Sequence, residues 1–279
     1  MVRTLKNRII KLSVRTWKLS LFMSEFLHLR YRLMRRLRFR YAKLITCAMF
    51  RLWVKEIHNE DRLPQKGPVI IVSNHTSYYD WIVLSAIYDK KYIVFIGNQD
   101  LLRRPFVNWL VRLNILIYID PKNPGFSYFR EVLNRLKHGH VVVIYPEGTR
   151  SKSGRMIEPK IGFVKLALTM NVPIIPLAMK GAYDILPPHK KMPRLKQCEL
   201  FVGDPFFINR DNPMFRDIFQ SEENSGKRLS DAGMKEVAFR IMDKIADMAG
   251  QEWDSSVAIE EENFLGKPRR VFFEHQETA

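Results

Sequence analysis

The chain has 279 residues and a mass of 33.0 kDa, with 46% hydrophobic residues and a formal net charge of +17. This length and hydrophobic content exclude a disordered chain, and they suffice for one α/β domain with an appended segment. Its two cysteines, Cys47 and Cys198, lie far apart and in no metal-binding spacing, which favours reduced thiols in a cytosol-facing protein.

The positive charge is concentrated at the N-terminus. Residues 1–60 contain 15 Lys/Arg and 3 Asp/Glu, a balance of +12, whereas residues 61–279 have a balance of only +5. Basic segments bind nucleic acid or anionic lipid, and the residues between the charges distinguish the two.

Apolar residues recur at steps of three and four residues within this basic segment, which predicts an amphipathic helix. The stripe consists of Phe22, Phe26, Leu29, Leu33, Leu37, Tyr41 and Leu44. A basic helix with such a stripe is typical of a segment that lies in a membrane interface. A helix that packs on its own domain and a nucleic-acid-binding helix are the alternatives, although no nucleic-acid fold signature accompanies the charge. We therefore expect residues 1–60 to anchor the chain on an anionic bilayer, and we expect no nucleic-acid partner.

No part of this segment is predicted to cross a bilayer. Its longest uncharged runs have six or seven residues, whereas a spanning helix needs about 18 apolar residues. Arginine interrupts any apolar region, which also excludes a signal peptide. The protein is therefore expected to be monotopic and to lie on the cytoplasmic face of the inner membrane. A compact chain without predicted spanning helices suggests a bacterial origin, by analogy alone.

From residue 61, short β-branched runs alternate with helical patterns. Strands are predicted at 69–73, 92–96, 115–119, 141–145, 173–178 and 198–202, and helices at 80–88, 100–112, 126–138, 160–170 and 229–249. This alternation predicts an α/β fold with a mostly parallel sheet flanked by helices. The predicted domain covers residues 61–250, and residues 251–279 form a peripheral C-terminal tail. Ligands of such folds bind at the loops that follow the strands.

One such loop carries a histidine and an aspartate. The stretch SNHTSYYDWI (73–82) follows the apolar run PVIIV and places His75 five residues before Asp80 at a strand-to-helix turn. The two residues form a candidate acid–base pair. Asp80 could also serve only as a helix cap, because aspartate is favoured at helix N-termini. Ser73 and Ser77 flank His75 and leave a covalent route open.

A second polar loop, PEGTRSKSGR (146–155), follows the run VVV. It contains Glu147, Gly148, Thr149 and Arg150. An arginine, a threonine and exposed amides at a strand-to-helix loop can bind phosphate or carboxylate. The alternative is a surface turn with a solvated charge pair.

Together, the two loops resemble the motifs of the glycerolipid acyltransferases of the lysophosphatidate acyltransferase type. The first family block, Asn-His-four residues-Asp, is NHTSYYD (74–80). The third, Phe-Pro-Glu-Gly-Thr-Arg-Ser, is YPEGTRS (145–151), and the fourth is VPIIPLA (172–178). The second block departs from the family pattern Phe-Ile-Asp-Arg, because YIDPK (118–122) has Pro121 in place of the arginine and Lys122 after it. The resemblance covers about residues 65–205.

This resemblance implies transfer of a fatty acyl group from acyl-CoA or acyl carrier protein to the free hydroxyl of 1-acylglycerol-3-phosphate, giving phosphatidate. Because the family arginine helps to bind the acceptor's phosphate, its absence leaves another lysophospholipid or a lyso amino-acid lipid as an alternative acceptor. Lys122 could replace the arginine as a point charge without its bidentate fork. The acyl donor is a substrate, and neither a cofactor nor a metal is expected.

The resemblance also implies roles for the loop residues. His75 is the expected general base, and Asp80 would hold its tautomer and stabilise the imidazolium. Asn74 would position this pair or stabilise the oxyanion. The acceptor head group would be held by Glu147 and Arg150, assisted by Thr149 and the amide of Gly148.

Overall fold

The computed structural model describes residues 52–88, 93–98, 116–119, 126–190, 192–222 and 229–254, the pairs 261–262 and 268–269, and ten separate positions between 30 and 48. The chain divides into two compact units, Met1–Ile45 and Thr46–Ala279. In the first unit the described positions are helical. Their large apolar side chains are exposed, namely Tyr31, Leu33, Met34, Leu37, Tyr41 and Leu44. Residues 1–29 of the predicted anchor lie outside the described residues.

A seven-stranded sheet forms the centre of the second unit. Its strands are β1 (Val54–His58), β2 (Val69–Ser73), β3 (Ile93–Asn98), β4 (Leu116–Ile119), β5 (Val141–Ile144), β6 (Ile174–Lys180) and β7 (Cys198–Val202). They lie in the order β1-β7-β6-β2-β5-β3-β4, and every neighbouring pair is parallel except β6 and β7. A separate antiparallel pair consists of β8 (Glu261–Glu262) and β9 (Pro268–Arg269).

Helices cover both faces of the sheet, because its central strands are apolar on both sides. The helices are α1 (Asp80–Ile87), α2 (Phe126–Lys137), α3 (Gly162–Met170), α4 (Ala182–Ile185), α5 (Arg216–Ser221) and α6 (Asp231–Ala249), with a single 3-10 turn at Glu60–Arg62. Ile70 and Val72 face a core shared with α2, α3 and α6, whereas Ile71 faces a second core shared with α1. The helix α6 begins at the Ser230 cap, whose side chain accepts a hydrogen bond from the Gly233 N–H.

The mostly parallel α/β sheet confirms the predicted fold class. The strands at 69–73 and 198–202 have the predicted bounds, and the other predicted strands and helices that are described differ by at most two residues at each end. The helix predicted at 100–112 lies outside the described residues. No helix in the described part of the chain is long and apolar enough to cross a membrane.

Two predicted boundaries need correction. The N-terminal helical segment was expected to reach residue 60, yet Val54–His58 is a strand paired in parallel with β7. The sequence gives no clear signal for this edge strand, because its partner lies 144 residues away and two of its five residues are exposed. The tail from residue 251 was expected to be peripheral, but Trp253 forms a parallel bridge with Met156.

Candidate active site

The two motif loops meet at one edge of the sheet. Strands β2 and β5 are parallel neighbours, so their carboxyl ends, and the loops that follow them, lie side by side. The backbone N–H of Ser151 donates to the carbonyl of His75 at 2.9 Å, which ties the second loop to the first. The expectation that both loops line one site therefore agrees with the topology.

His75 and Asp80 form a hydrogen-bonded pair. The imidazole Nδ1 lies 2.8 Å from Asp80 Oδ2. The aspartate is fully buried, and the same oxygen accepts hydrogen bonds from the backbone N–H groups of Thr76 and Ser77, each at 2.9 Å. These donors hold the carboxylate in place. With Nδ1–H donating to the carboxylate, the lone pair of Nε2 is available to accept a proton. Asp80 therefore binds His75 and the preceding loop, and it is not the cap of α1, whose N-cap residue is Tyr79.

Tyr145 fixes the plane of the imidazole. Its ring stacks on that of His75 with centroids 4.2 Å apart and planes 19° apart. Burial raises the pKa of the Tyr145 hydroxyl well above its usual value, so the side chain stays neutral. Sequence reasoning noted this residue only as a replacement for the family phenylalanine, since stacking across two loops has no local signal.

Asn74 is buried, and its side-chain amide is hydrogen-bonded within the protein. It is fully buried, its Oδ1 accepts from the Met179 N–H at 2.9 Å, and its Nδ2 donates to the Met179 carbonyl at 3.0 Å. The same amide donates to Gln251 Oε1 at 2.5 Å. Asn74 thus fixes the backbone next to His75 on strand β6. Of its two expected roles, this geometry favours positioning the pair over stabilising an oxyanion.

Glu147 has a different role from the one expected. Its carboxylate is 2% exposed, with Oε1 accepting from the backbone N–H of His75 at 2.6 Å and Oε2 from that of Ile157 at 3.2 Å. Burial raises its pKa to about 8, against the opposing effect of these two donors. This burial and these two hydrogen bonds favour a role in positioning His75 over the expected contact with the acceptor head group.

Arg150 remains a candidate for binding an anion. Its guanidinium carbon lies 3.3 Å from the centroid of the Tyr78 ring, a contact typical of cation–π pairs. Its Nη1 is buried and has no hydrogen-bond partner among the described residues. A buried donor of this kind is costly unless a ligand satisfies it. The role of Arg150 at the acceptor head group stays a prediction.

Gly148 and Thr149 occupy the exposed turn of the second loop. The Gly148 N–H donates to the Tyr145 carbonyl at 3.0 Å, so this amide is used inside the loop and does not assist binding as expected. Gly148 has φ +67°, and a Cβ at this position would lie 3.3 Å from Lys160 Nζ. Lys160 therefore places a second cation beside the loop, a residue that sequence reasoning missed. Lys122, the cation expected there, lies outside the described residues.

Gln251 hydrogen-bonds to both motif loops. Its Oε1 accepts from Asn74, and its Nε2 donates to the Gly154 carbonyl at 2.6 Å. The adjacent Glu252 carbonyl accepts from the Met156 N–H at 2.9 Å. No sequence signal predicts this contact, because Gln251 lies 177 residues from Asn74 and 97 from Gly154.

The site has no metal-binding character in the part of the chain that the structure describes. There, no group of three or more His, Cys, Asp or Glu side chains could hold an ion.

The hydroxyls of the nearby serines donate to backbone carbonyls. Ser77 Oγ donates to the Leu186 carbonyl at 2.8 Å, and Ser73 Oγ donates to the carbonyl of Asn74 at 3.3 Å. Neither hydroxyl is placed as a nucleophile activated by the imidazole.

Comparisons with known proteins find similarity to acyltransferases. Residues 55–180 match the Acyltransferase family model. The chain is 27% identical over 145 residues to a lyso-ornithine lipid O-acyltransferase of Rhizobium meliloti, covering 51% of this chain and 46% of that protein. It is 24% identical over 150 residues to a 1-acyl-sn-glycerol-3-phosphate acyltransferase of Bacillus subtilis, covering 54% and 72%. The mouse 1-acyl-sn-glycerol-3-phosphate acyltransferase alpha is 33% identical over 132 residues, covering 46% of each chain.

The alignments span about half the length of the Rhizobium and mouse proteins. Among solved structures, the crystal structure of the 1-acyl-sn-glycerophosphate acyltransferase from Thermotoga maritima superposes with a TM-score of 0.57 at 20% identity. That match covers 79% of this chain and 83% of the other. At this identity the likeness shows the fold alone.

Proposed function

We propose that this chain, whose residues 55–180 match the Acyltransferase family model, transfers a fatty acyl group from an acyl thioester to the free hydroxyl of 1-acylglycerol-3-phosphate. The product is phosphatidate, and the donor is acyl-CoA or acyl carrier protein. The observation that carries the proposal is the buried Asp80 carboxylate, 2.8 Å from Nδ1 of a histidine whose side chain is 19% exposed. This pair offers a general base at the mouth of the site.

The chemistry needs only this pair and the two substrates. Nε2 of His75 takes the proton of the lysolipid hydroxyl as its oxygen attacks the thioester carbonyl. The tetrahedral intermediate collapses, the carbon–sulfur bond breaks, and the imidazolium returns the proton to the departing thiolate. Asp80 stabilises the imidazolium and keeps Nδ1 protonated throughout. The substrate alcohol is the nucleophile, so no enzyme serine takes part.

The acceptor's phosphate would bind at the second loop. Arg150 offers a buried donor without a protein partner among the described residues, and Lys160 places a cation next to Gly148. A phosphate monoester carries nearly two negative charges at neutral pH and suits two cations. This pair of cations supports phosphate recognition despite Pro121, and Lys122 remains a predicted third contributor.

A second acceptor class has its own support. Pro121 stands at the position of the family arginine, and one relative is named a lyso-ornithine lipid O-acyltransferase. The same His75 chemistry would then acylate a lyso amino-acid lipid or another lysophospholipid. The two acceptors are distinguished by how strongly transfer depends on Arg150.

We further propose that the protein is monotopic and works on the cytoplasmic face of the membrane. The support is the basic N-terminal segment, with a balance of +12 over residues 1–60, and the exposed apolar side chains at its described helical positions. Such a segment binds anionic lipid through both charge and apolar burial. Its purpose would be to bring the site to substrates that reside in the bilayer.

The deciding experiment is acyl transfer by the purified full chain in detergent. Both thioester donors are offered with a panel of lysolipids that includes lysophosphatidate and a lyso-ornithine lipid. We expect His75-dependent transfer to lysophosphatidate. A matched control is His138→Ala, because the His138 side chain is exposed just after α2 and its Nδ1 hydrogen-bonds to the Asn134 carbonyl. Transfer that survives His75→Ala would refute the mechanism, and transfer only to other acceptors would replace the acceptor.

A further inference from the structure

A loop that the proposed chemistry does not use lies beside the active site. It comprises residues 187–197, between α4 and β7, and is called here the 187–197 loop. The Arg194 N–H donates to the Ile185 carbonyl at 2.8 Å, and the Arg194 carbonyl accepts from Trp53 Nε1 at 2.7 Å. Trp53 in turn packs edge-on against Tyr79, with centroids 5.6 Å apart. The loop is therefore held in a defined conformation at its centre.

Two apolar side chains on this loop face solvent. Met192 is 77% and Leu195 is 87% exposed, more than any other large hydrophobic side chain among the described residues. The Trp53–Arg194 contact also brings Leu52, which is 59% exposed, towards the same loop. Solvent-facing clusters of large apolar side chains on a fixed loop indicate a contact surface, because folding alone does not stabilise them there.

The same loop is strongly basic. Its sequence PPHKKMPRLKQ contains four Lys/Arg and no acidic residue. Lys190, Arg194 and Lys196 are all exposed around the apolar pair. Apolar side chains surrounded by cations suit the boundary between anionic head groups and acyl chains. Nucleic acid would use the cations but would leave Met192 and Leu195 in water.

The loop lies at the catalytic edge of the sheet. It follows β6, whose carboxyl end is next to that of β2, and the Leu186 carbonyl accepts from Ser77 Oγ, two residues after His75. By contrast, Phe206 forms a bridge with Ile174 at the start of β6. The neighbouring Phe207 is thus at the opposite end of a seven-residue strand, about 20 Å away.

We propose that the 187–197 loop inserts Met192 and Leu195 into the interface of an anionic bilayer and so turns the His75 edge towards the lipid. This contact is separate from the N-terminal segment and belongs to the catalytic domain itself. Its benefit rests on the proposed function, since a lysolipid acceptor would then enter the site directly from the bilayer. The lipid contact itself requires no catalysis and can be tested without it.

The test uses an environment-sensitive fluorophore on the full chain. Cys47→Ser removes the more accessible of the two cysteines, and Cys198 is 1% exposed. Single labels at Met192→Cys, Leu195→Cys and, as a control, Phe207→Cys are then mixed with vesicles containing phosphatidylglycerol. We expect a blue shift at the first two sites and none at the third. Unchanged emission at both loop sites in vesicle-bound protein would overturn the proposal.

A second variant tests the contact by its effect on transfer. Because both side chains are exposed, Met192→Ser with Leu195→Ser should leave the fold intact, whereas Phe207→Ser serves as the control. We expect a roughly tenfold lower kcat/KM on vesicle-embedded lysolipid and little change in detergent micelles. If labels at the loop respond to an acidic acyl carrier protein and not to vesicles, the surface binds the carrier and the membrane proposal is wrong. A chain without transferase activity would still give the fluorescence result.

Discussion

The side chain of Glu147 accepts a hydrogen bond from the backbone N–H of His75 at 2.6 Å, although the two residues lie 72 positions apart in the sequence. This contact and the Ser151–His75 backbone hydrogen bond connect the two motif loops. We therefore expect that a shift of the Glu147 loop would also move the imidazole. Because Glu147 is buried and its pKa is elevated, its contribution can be measured through the pH dependence of stability.

The first prediction concerns the pH dependence of stability. Glu147 has a pKa of about 8 in the folded protein, against an ordinary value of 4.5. Its titration therefore contributes its full amount to the free energy of unfolding below about pH 4.5, and this contribution is lost as the pH rises towards 8. Glu147→Gln removes the titration. The unfolding free energy of the native protein relative to the variant should fall by about 3 kcal/mol between pH 5 and pH 8. Denaturant unfolding at several pH values measures it, and parallel curves would contradict the assignment.

The second prediction concerns the histidine–aspartate pair. Asp80→Asn keeps the side-chain shape but removes the charge that stabilises the imidazolium, and it favours the wrong tautomer. We expect kcat to fall on the order of 10³-fold with little change in KM. Asp184→Asn, an exposed aspartate on α4, is the matched control. Steady-state transfer assays measure both. Activity of Asp80→Asn within threefold of the native protein would exclude this role.

The third prediction concerns Gln251. Gln251→Ala breaks its hydrogen bonds to Asn74 and Gly154, so the two loops lose a shared support. We expect kcat to fall about tenfold while KM changes little, since the residue positions His75 and touches no substrate. Gln251→Glu keeps the acceptor for Asn74 and should recover part of the loss. The exposed Gln220→Ala is the control. A change confined to thermal stability, with kcat intact, would argue for a purely structural role.

The fourth prediction concerns the acceptor head group. Arg150→Ala removes the buried donor beside Tyr78, and the loss of a charge-assisted hydrogen bond to phosphate should lower kcat/KM for lysophosphatidate about 10- to 100-fold. A lysolipid without a phosphate monoester should be affected much less. Arg216→Ala, an exposed arginine at the start of α5, controls for charge alone. Equal losses of kcat/KM on both acceptor classes would mean that Arg150 does not recognise the phosphate.

The fifth prediction concerns the N-terminal segment. Deletion of residues 1–45, the first compact unit, should weaken binding to anionic vesicles and reduce its dependence on salt. This cut leaves Trp53 and β1 in place, which a cut at residue 55 would not. Vesicle sedimentation at low and high salt measures the effect. Equal binding by the truncated and full chains would show that the anchor lies elsewhere.

Local patterns in the sequence predicted most of the sheet and the contact between His75 and Asp80. The strand at 69–73 is a continuous apolar run buried on both faces, so its composition alone identifies it. His75 and Asp80 lie five residues apart in one loop, so their contact is a local property of the chain. The apolar stripe of the N-terminal segment is local in the same sense, and its described positions are helical.

Only the tertiary structure decided what the surrounding residues do. Glu147 reads in the sequence as an exposed acid of a polar loop, yet the fold buries it against the backbone of His75. Gln251 follows a helix in a charged tail, and only the packing of that helix on the sheet brings it to Asn74. Strand β1 needs β7 to be recognised at all. In each case the partner lies more than 70 residues away, and a contact at that separation leaves no periodicity in the sequence near either residue.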